Sequence, residues 1–467
     1  MSSTAVAHIV NTRTRSAESD RTLPVAATGT LLVLAVFSAA VTTVGDSVGS
    51  LHGDVSGQTW VLSGMSLGLA VALLTVGALA DAFGRRRVLV LSSILLALTS
   101  AWGAVAPTMT VLIAARILQG AAGAGVLAAA LGAIGHAFPT GHRRAHATSV
   151  WGAAVGAGIA IGPLAGGALA ASLGWRSSYW LEAVAAALLV PAATTGLDES
   201  RARTTRSLDL SGATVLALAM AGLTAGLIDG RQSWSSARAI VPLAAGAILL
   251  GAFVAIELGK TEPLLELGRF SNPLFLASLT GALFTGLAVI GLMSFTPLLL
   301  QRGLHVTVIG SAAVLAAWSG TSMAVALATR RVLGRVSAAS VVVVGFAISA
   351  AGEFALAGLG VGTSWTRVLP GLVILGIGSG LVNASLGRLA LESVPRERAG
   401  MGSGANNTAR YLGGAAGVAL VVALATGAGA PGAAGLLAGW NTAVVVCGAL
   451  CVVAALIAAA CRPRQRL

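Results

Sequence analysis

The chain has 467 residues, of which 56% are hydrophobic and only 10% charged, with 61 glycines and a mean hydropathy of +0.88; a soluble domain carries roughly 25% charged residues. These values exclude a disordered chain, a collagen-like repeat, a disulfide scaffold and a soluble enzyme, and they leave a membrane protein. The net charge of +13 would point to a nucleic-acid ligand only if it gathered into one basic patch.

A helix needs about 20 mainly apolar residues to cross a hydrocarbon core of about 30 Å. Fourteen such runs occur in chain order, at 27–48, 60–80, 88–106, 109–134, 150–172, 179–195, 210–228, 239–257, 274–299, 308–329, 338–360, 367–391, 403–426 and 434–460. The expected fold is an all-α membrane protein with fourteen transmembrane helices. The first 25 residues are polar and the first apolar run needs no cleaved leader, so no signal peptide is expected. The three cysteines, Cys447, Cys451 and Cys461, all belong to the last run or its edge. They read as small buried apolar residues rather than as a disulfide or metal framework.

Of the 29 arginines and lysines, 21 fall in segments on the side of the N-terminus, among them Arg85, Arg86, Arg87, Arg143, Arg144 and Lys260. Cytoplasmic loops retain positive charge, so both termini are expected in the cytoplasm. The basic surplus is thus a topology signal spread over eight segments, and no nucleic-acid partner is expected. Trp60, Trp102, Trp175, Trp180, Trp234 and Trp365 fall near the outer ends of runs, as an interfacial belt would.

Sliding the chain against itself gives one productive offset. At a shift of 255, Gly123, Gly125, Ala129, Leu131 and Gly132 match Gly378, Gly380, Ala384, Leu386 and Gly387, with Phe138-Pro139 near Val394-Pro395 and Arg143 over Arg398. The fourth run therefore repeats as the twelfth, which implies two six-helix halves related by a pseudo-twofold repeat, with two inserted helices. The expected units are an N-tail (1–26), a six-helix half (27–195), a cytoplasmic linker (196–209), the two inserted helices (210–257), a second six-helix half (258–460) and a C-tail (461–467).

Between the second and third runs the chain reads GALADAFGRRR from Gly77 to Arg87, with Asp81 ending a helix, Gly84 at the turn and arginines after it. The fourth run carries LIAARILQG with Arg116, Gln119 and Gly120, and the fifth carries GIAIGPLAGG with Gly158, Gly162, Pro163, Gly166 and Gly167. Together these segments resemble, in order and place, the signatures of the major facilitator superfamily, in which the first appears as G-x-L-A-D-R-x-G-R-R. The fifth-run segment resembles the motif of drug:proton antiporters, and fourteen spans resemble the fourteen-helix branch of that group.

The resemblance implies a gating latch of Gly77, Asp81, Gly84, Arg85 and Arg86. Asp81 would sit against a helix N-terminus or an arginine at the cytoplasmic face. Ala82 stands where the family pattern has arginine, so Arg85 or Arg86 is the substitute partner. Arg116 is expected to face a polar cavity, because an unpaired charge inside a membrane costs several kcal/mol, and the resemblance associates it with proton coupling. The glycines and proline of the fifth run permit close helix approach and a rocking seam.

Proton antiport also needs an acid that changes protonation during the cycle. The candidates are Asp46, Glu182 and Glu353, the last taken as the deepest. The aspartate that the family has earlier in its first helix has no counterpart, the aligned residues being roughly Ala40 to Gly45. Gln119, Trp318, Asn383, Asn406, Asn407, Arg410 and Tyr411 are the candidate substrate-binding residues, to be weighed against plain interhelix packing. Few aromatics and few central acids favour a neutral, amphipathic or anionic compound over a multivalent cation.

Gly259-Lys260-Thr261 lacks the upstream glycine of a phosphate loop, so no nucleotide is expected. Gly64-Met65-Ser66-Leu67-Gly68 fits a serine-nucleophile pattern but falls in a spanning helix. The segment Gly427–Gly432 fits a dinucleotide fingerprint in letters alone. His136, His142 and His146 lie in an arginine-rich segment unsuited to a metal. The expected protein is a monomeric, cofactor-free, metal-free exporter in the bacterial plasma (inner) membrane. It would exchange small hydrophobic or amphipathic compounds, drugs or antibiotics, for protons. The rivals are a carrier of one metabolite, a non-transporting receptor of the same fold, and a membrane acyltransferase resting on Ser66.

Overall fold

The computed structural model describes residues 3–53, 55–138, 141–201, 209–230, 233–260, 263, 268, 271–333, 336–395, 399–426 and 432–462. Pro139, Thr261, Arg398 and the segment 427–431, all named in the sequence reading, lie outside the described residues, as do several of the arginines counted there. So does half of the expected linker, 202–208.

Among the described residues there are fourteen long helices and no strand. They are α1 (Ser3–Ser50), α2 (Val55–Phe83), α3 (Arg85–Ala104), α4 (Met109–Ala137), α5 (His142–Leu173), α6 (Arg176–Gly196), α7 (Leu210–Gly230), α8 (Ala237–Leu258), α9 (Pro273–Gly303), α10 (Val308–Leu333), α11 (Ala338–Ala355), α12 (Leu369–Glu392), α13 (Ala399–Thr426) and α14 (Gly432–Ala460). By length and composition twelve of them can cross a membrane. The exceptions are α6 and α7, the apolar stretch of α7 being the shorter Ser211–Leu227.

Helix boundaries follow local chemistry. Thr108, Ser236, Asn272 and Ser337 cap α4, α8, α9 and α11 by accepting a hydrogen bond from a first-turn amide, which satisfies a donor that the helix leaves open. Gly84 separates α2 from α3 with φ of +114°, a conformation that glycine adopts without steric cost. The apolar pattern predicts α11 to run to 360, but it stops at Ala355. Gly358 and Gly362 take positive φ, and the Asn441 side chain of α14 accepts the Gly358 and Leu359 amides at 3.0 Å each. The loop backbone is satisfied there without helix.

One apolar core gathers residues of α1–α6, such as Leu69, Val126 and Leu189. A second gathers residues of α9–α14, such as Leu292, Phe346 and Trp440. A third, with Leu216 and Met220 of α7, Phe253 of α8, Leu74 of α2 and Met401 of α13, seats α7 and α8 over the line where α2 meets α13. A methyl group on Gly125 would meet Ser92 of α3 and Val76 of α2, and on Gly380 it would meet Val325 and Ala326 of α10.

Outward-facing large apolar side chains, among them Leu98, Leu188, Ile248 and Leu456, are exposed, which suits lipid rather than water. Trp102, Trp180, Trp234 and Trp365 are exposed near helix ends. Trp175, expected in the same belt, is instead buried, with its indole N–H donated to Ser50 Oγ at 2.7 Å and its ring edge-on to Tyr179. Cys447, Cys451 and Cys461 are free and buried.

Candidate functional site

A cavity of about 1030 Å³, part of it open to solvent, lies between the helices of the first core and those of the second. Leu34, Phe37, Ser38 and Val41 of α1, Leu127 of α4, and Trp151, Val155, Ile159, Ala160 and Pro163 of α5 form one wall. The opposite wall comes from α9, α10, α12 and α13, with Met293, Trp318, Ser379, Asn383, Asn407, Arg410 and Tyr411. Of the expected substrate-binding residues, Trp318, Asn383, Asn407, Arg410 and Tyr411 do line it. Gln119 and Asn406 do not: Gln119 belongs to the network described next, and Asn406 donates to Ser278 on α9 at 2.8 Å.

Several cavity features carry no signal in the sequence. Phe37 and Tyr411 meet edge-to-face with ring centroids 5.9 Å apart, which joins α1 to α13. The α9 wall includes Thr285, Val289 and Ile290, all within a π-helical turn, Thr285–Ile290. There the backbone of α9 runs against Gly413, Gly414 and Gly417 of α13. Such a turn offsets the side-chain register and recurs at functional sites.

Arg116 of α4 is fully buried. Its guanidinium donates to the carbonyls of Val61 (3.3 Å), Val36 (3.0 Å) and Phe37 (3.2 Å), and to Gln119 Oε1 at 3.0 Å. The Gln119 amide nitrogen in turn donates to Ser100 Oγ at 2.8 Å and to Glu182 Oε2 at 3.0 Å. Gln119 thus links Arg116 to Glu182 of α6, and Arg116 grips the backbone of α1 at the residue whose ring lines the cavity. Gly68 and Gly120 let α2 and α4 cross backbone to backbone one turn away, with the Gly68 Cα 3.0 Å from a Cβ built on Gly120.

At the end of α2, Asp81 Oδ1 accepts from Arg85 Nη2 at 2.8 Å, and Oδ2 accepts from the Met401 amide in the first turn of α13 at 2.9 Å. Asp81 and Arg85 are both buried. The position left by Ala82 is therefore served by Arg85, while Arg86 offers its backbone amide to Glu199 Oε1 at 3.2 Å. Gly77 is buried one turn before Asp81. A side chain on Gly84 would strike the Glu199 carboxylate, so the glycine serves both the turn and this contact.

The fifth-helix motif lies against α1. A Cβ on Gly158 would meet Leu34 Cβ at 2.7 Å, and on Gly162 it would meet the Ala35 carbonyl and Ser38 Oγ. Thr42 donates to the Pro163 carbonyl at 3.1 Å. The close approach of α5 to the second set of helices is made instead by Gly152 against Ala384 of α12, and by Gly156 against Ser319 and Met323 of α10, each about 3.1 Å from a built Cβ. The sequence reading did not single out these two glycines.

Asp46 is exposed in the last turn of α1 and joins none of these clusters. Glu353, expected at depth along its helix, stands in the last turn of α11 because that helix ends early. It is fully buried beside Cys447 and Cys451 of α14, and it does not line the cavity. Arg388 and Glu392 pair along α12 at 2.6 Å, as their spacing predicts.

The chain is 30% identical over 368 residues to the multidrug resistance protein Stp of Mycobacterium tuberculosis (strain CDC 1551 / Oshkosh), a match covering 78% of this chain and 68% of that one. It is 29% identical over 379 residues to the tetracenomycin C resistance and export protein of Streptomyces glaucescens, covering 79% and 69%. The crystal structure of the human organic anion transporter MFSD10 shares the fold, with a TM-score of 0.68 at 17% identity over 94% of this chain and 99% of that one. The family signature spans residues 26–418, and with it the chain belongs to the Major Facilitator Superfamily.

Proposed function

We propose that the chain exports small hydrophobic or amphipathic compounds, antibiotics or drugs, across the bacterial plasma membrane in exchange for protons, by alternating access. The observation that carries this reading is the mostly apolar cavity walled by both sets of helices, with a few polar groups set among apolar ones as small-molecule sites have. The family match and the names of the relatives support it. In this reading all fourteen helices span, as two six-helix halves (27–195 and 258–460) with two inserted helices (210–257). Both termini are cytoplasmic, and the protein works as a monomer with lipid around it.

Each residue cluster then has a role. Asp81, Arg85 and the α13 N-terminus latch the cytoplasmic face, with Gly77, Gly84 and Arg86 shaping the loop. Glu182 carries the proton. When it is ionised it accepts from Gln119, whose oxygen serves Arg116. Once protonated it donates to the Gln119 oxygen, the amide turns its nitrogen toward the guanidinium, and Arg116 loses that acceptor. Arg116 grips Val36 and Phe37, and Phe37 meets Tyr411 across the cavity. Proton occupancy is thereby linked to the cavity wall.

Everted membrane vesicles with a respiration-acidified interior test this reading, with proton release recorded on adding antibiotics, dyes and lipophilic anions. Release by some compounds, abolished by Arg116→Ala and Glu182→Gln, is expected. No release by any compound from folded protein overturns the reading and favours a carrier of one metabolite or a receptor.

A further inference from the structure

Among the residues that line the cavity, Arg410 is the one charged side chain, and no aspartate or glutamate stands with it. It is only 4% exposed. Its Nη1 donates to Asn383 Oδ1 at 3.2 Å, while Nε and Nη2 have no hydrogen-bond partner among the described residues. Arg116 gives the internal contrast, since that guanidinium is equally buried yet spends its donors on three carbonyls and an amide oxygen. A buried cation with two idle donors and no counter-ion is costly unless a partner arrives. The fork of a guanidinium fits an oxyanion with two parallel hydrogen bonds.

The surroundings define the rest of the ligand. Trp151 also lines the cavity, and its buried indole N–H has no partner among the described residues. It can donate to an oxygen but cannot receive a proton, so it adds to the preference for an acceptor-rich group. Phe37, Val155, Met293 and Leu315 offer aromatic and aliphatic surface. We infer that the cavity takes amphipathic monoanions, an aromatic or otherwise apolar body bearing one carboxylate or comparable oxyanion, with Arg410 receiving the anionic group. Lipophilic cations are disfavoured, because they would meet an uncompensated positive charge in a low-dielectric site. This inference rests on the reading of the cavity as the substrate site and names the class of substrate.

The test is equilibrium binding to the full chain in lipid nanodiscs, corrected with empty discs, of three probes of one shape: anthraquinone-2-carboxylate, its methyl ester and 2-(aminomethyl)anthraquinone. The carboxylate should bind roughly tenfold or more tighter than the ester, and the amine most weakly. Arg410→Gln should bring the carboxylate to the level of the ester without moving the ester. Asn383→Asp, which supplies a counter-ion and keeps the arginine, should do the same and guards against misfolding of the first variant. Equal binding of carboxylate and ester, tighter binding of the amine, or a carboxylate preference that survives both substitutions overturns the inference and leaves the cavity as a substrate site. If none of the three binds, the reading of the cavity falls and takes the inference with it.

Discussion

The carboxylate of Asp81 at the end of α2 accepts the backbone amide of Met401 in the first turn of α13 at 2.9 Å, across 320 residues of sequence. An acid at a helix N-terminus gains both a hydrogen bond and a favourable dipole, and its other oxygen is held by Arg85. Gly404 brings the two helices together one turn further on, where a Cβ would stand 3.0 Å from Leu74 Cα.

Asp81→Ala should therefore open this face. A charge-assisted hydrogen bond is worth about 1.5–3 kcal/mol, so the balance between closed and open forms should move roughly ten- to hundredfold. A cysteine placed at Leu74 should become reactive to a water-soluble maleimide in Asp81→Ala while staying protected in the parent. Equal labelling in both would remove the latch role.

Substitutions in the Arg116 network should separate coupling from binding. Glu182→Gln should abolish proton-driven accumulation and leave downhill substrate exchange in place, since the cavity wall is untouched. Arg116→Lys should also lose coupling, because an ammonium cannot reach four acceptors spread over α1, α2 and α4. Proteoliposomes with and without a pH gradient read the difference, and an unchanged gradient dependence in Glu182→Gln would move the proton elsewhere.

The helices were legible in the sequence because membrane-length apolar runs need no tertiary knowledge, and Asp81, Arg116 and the Gly158–Gly167 segment were legible because their spacing is a family signature. Partners were not. Nothing local ties Asp81 to Met401 or Glu182 to Gln119, since these meetings depend on how whole helices pack. Leu356 to Gly360 looks like more helix, yet the side chain that ends α11 there, Asn441, comes from α14. Phe37, Trp151 and the π-helical turn of α9 were invisible as cavity walls, because an apolar face reads the same whether it meets a neighbour or a void.

The motif glycines should differ among themselves. Gly158→Ala and Gly162→Ala each force a methyl into α1, against Leu34 and Ala35 respectively, and overpacking of this kind costs about 1–3 kcal/mol. Gly167→Ala meets only ordinary contact, 3.5 Å from Thr42 Cβ, and should be silent. Thermal unfolding of the three purified variants should rank them so; a loss at Gly167 as large as at Gly162 would refute packing as the reason for the motif.

Glu353→Gln should spare proton-driven export and leave thermal stability unchanged or higher. Neither carboxyl oxygen of Glu353 has a hydrogen-bond partner of normal geometry among the described residues, so ionising it in place would be costly. Glutamine keeps the shape and cannot ionise. Loss of export in this variant, with folding intact, would return the proton site to α11 and take it from Glu182.

The attachment of α7 and α8 should fade in acid. Asp209 caps α7 by accepting the Gly212 amide at 2.7 Å, and it pairs with Lys260, the chain's single lysine, just past α8. Burial works to raise its pKa, but the hydrogen bonds from Lys260 and from Gly212 outweigh it and hold the carboxyl at about 2 against an ordinary 3.8. A depressed folded value means stability that is fully present above the unfolded value and lost as pH falls through the folded one. The shift corresponds to about 1–2 kcal/mol once screening is allowed for at Lys260, whose side chain is 31% exposed. Between pH 5 and pH 2 the parent should therefore lose more melting temperature than Asp209→Asn, which has no proton to take up. Because α7 and α8 cover the line where α2 meets α13, the Leu74 cysteine should grow more reactive over the same range in the parent. Parallel melting curves and flat labelling would show that the pair does not hold these helices in place.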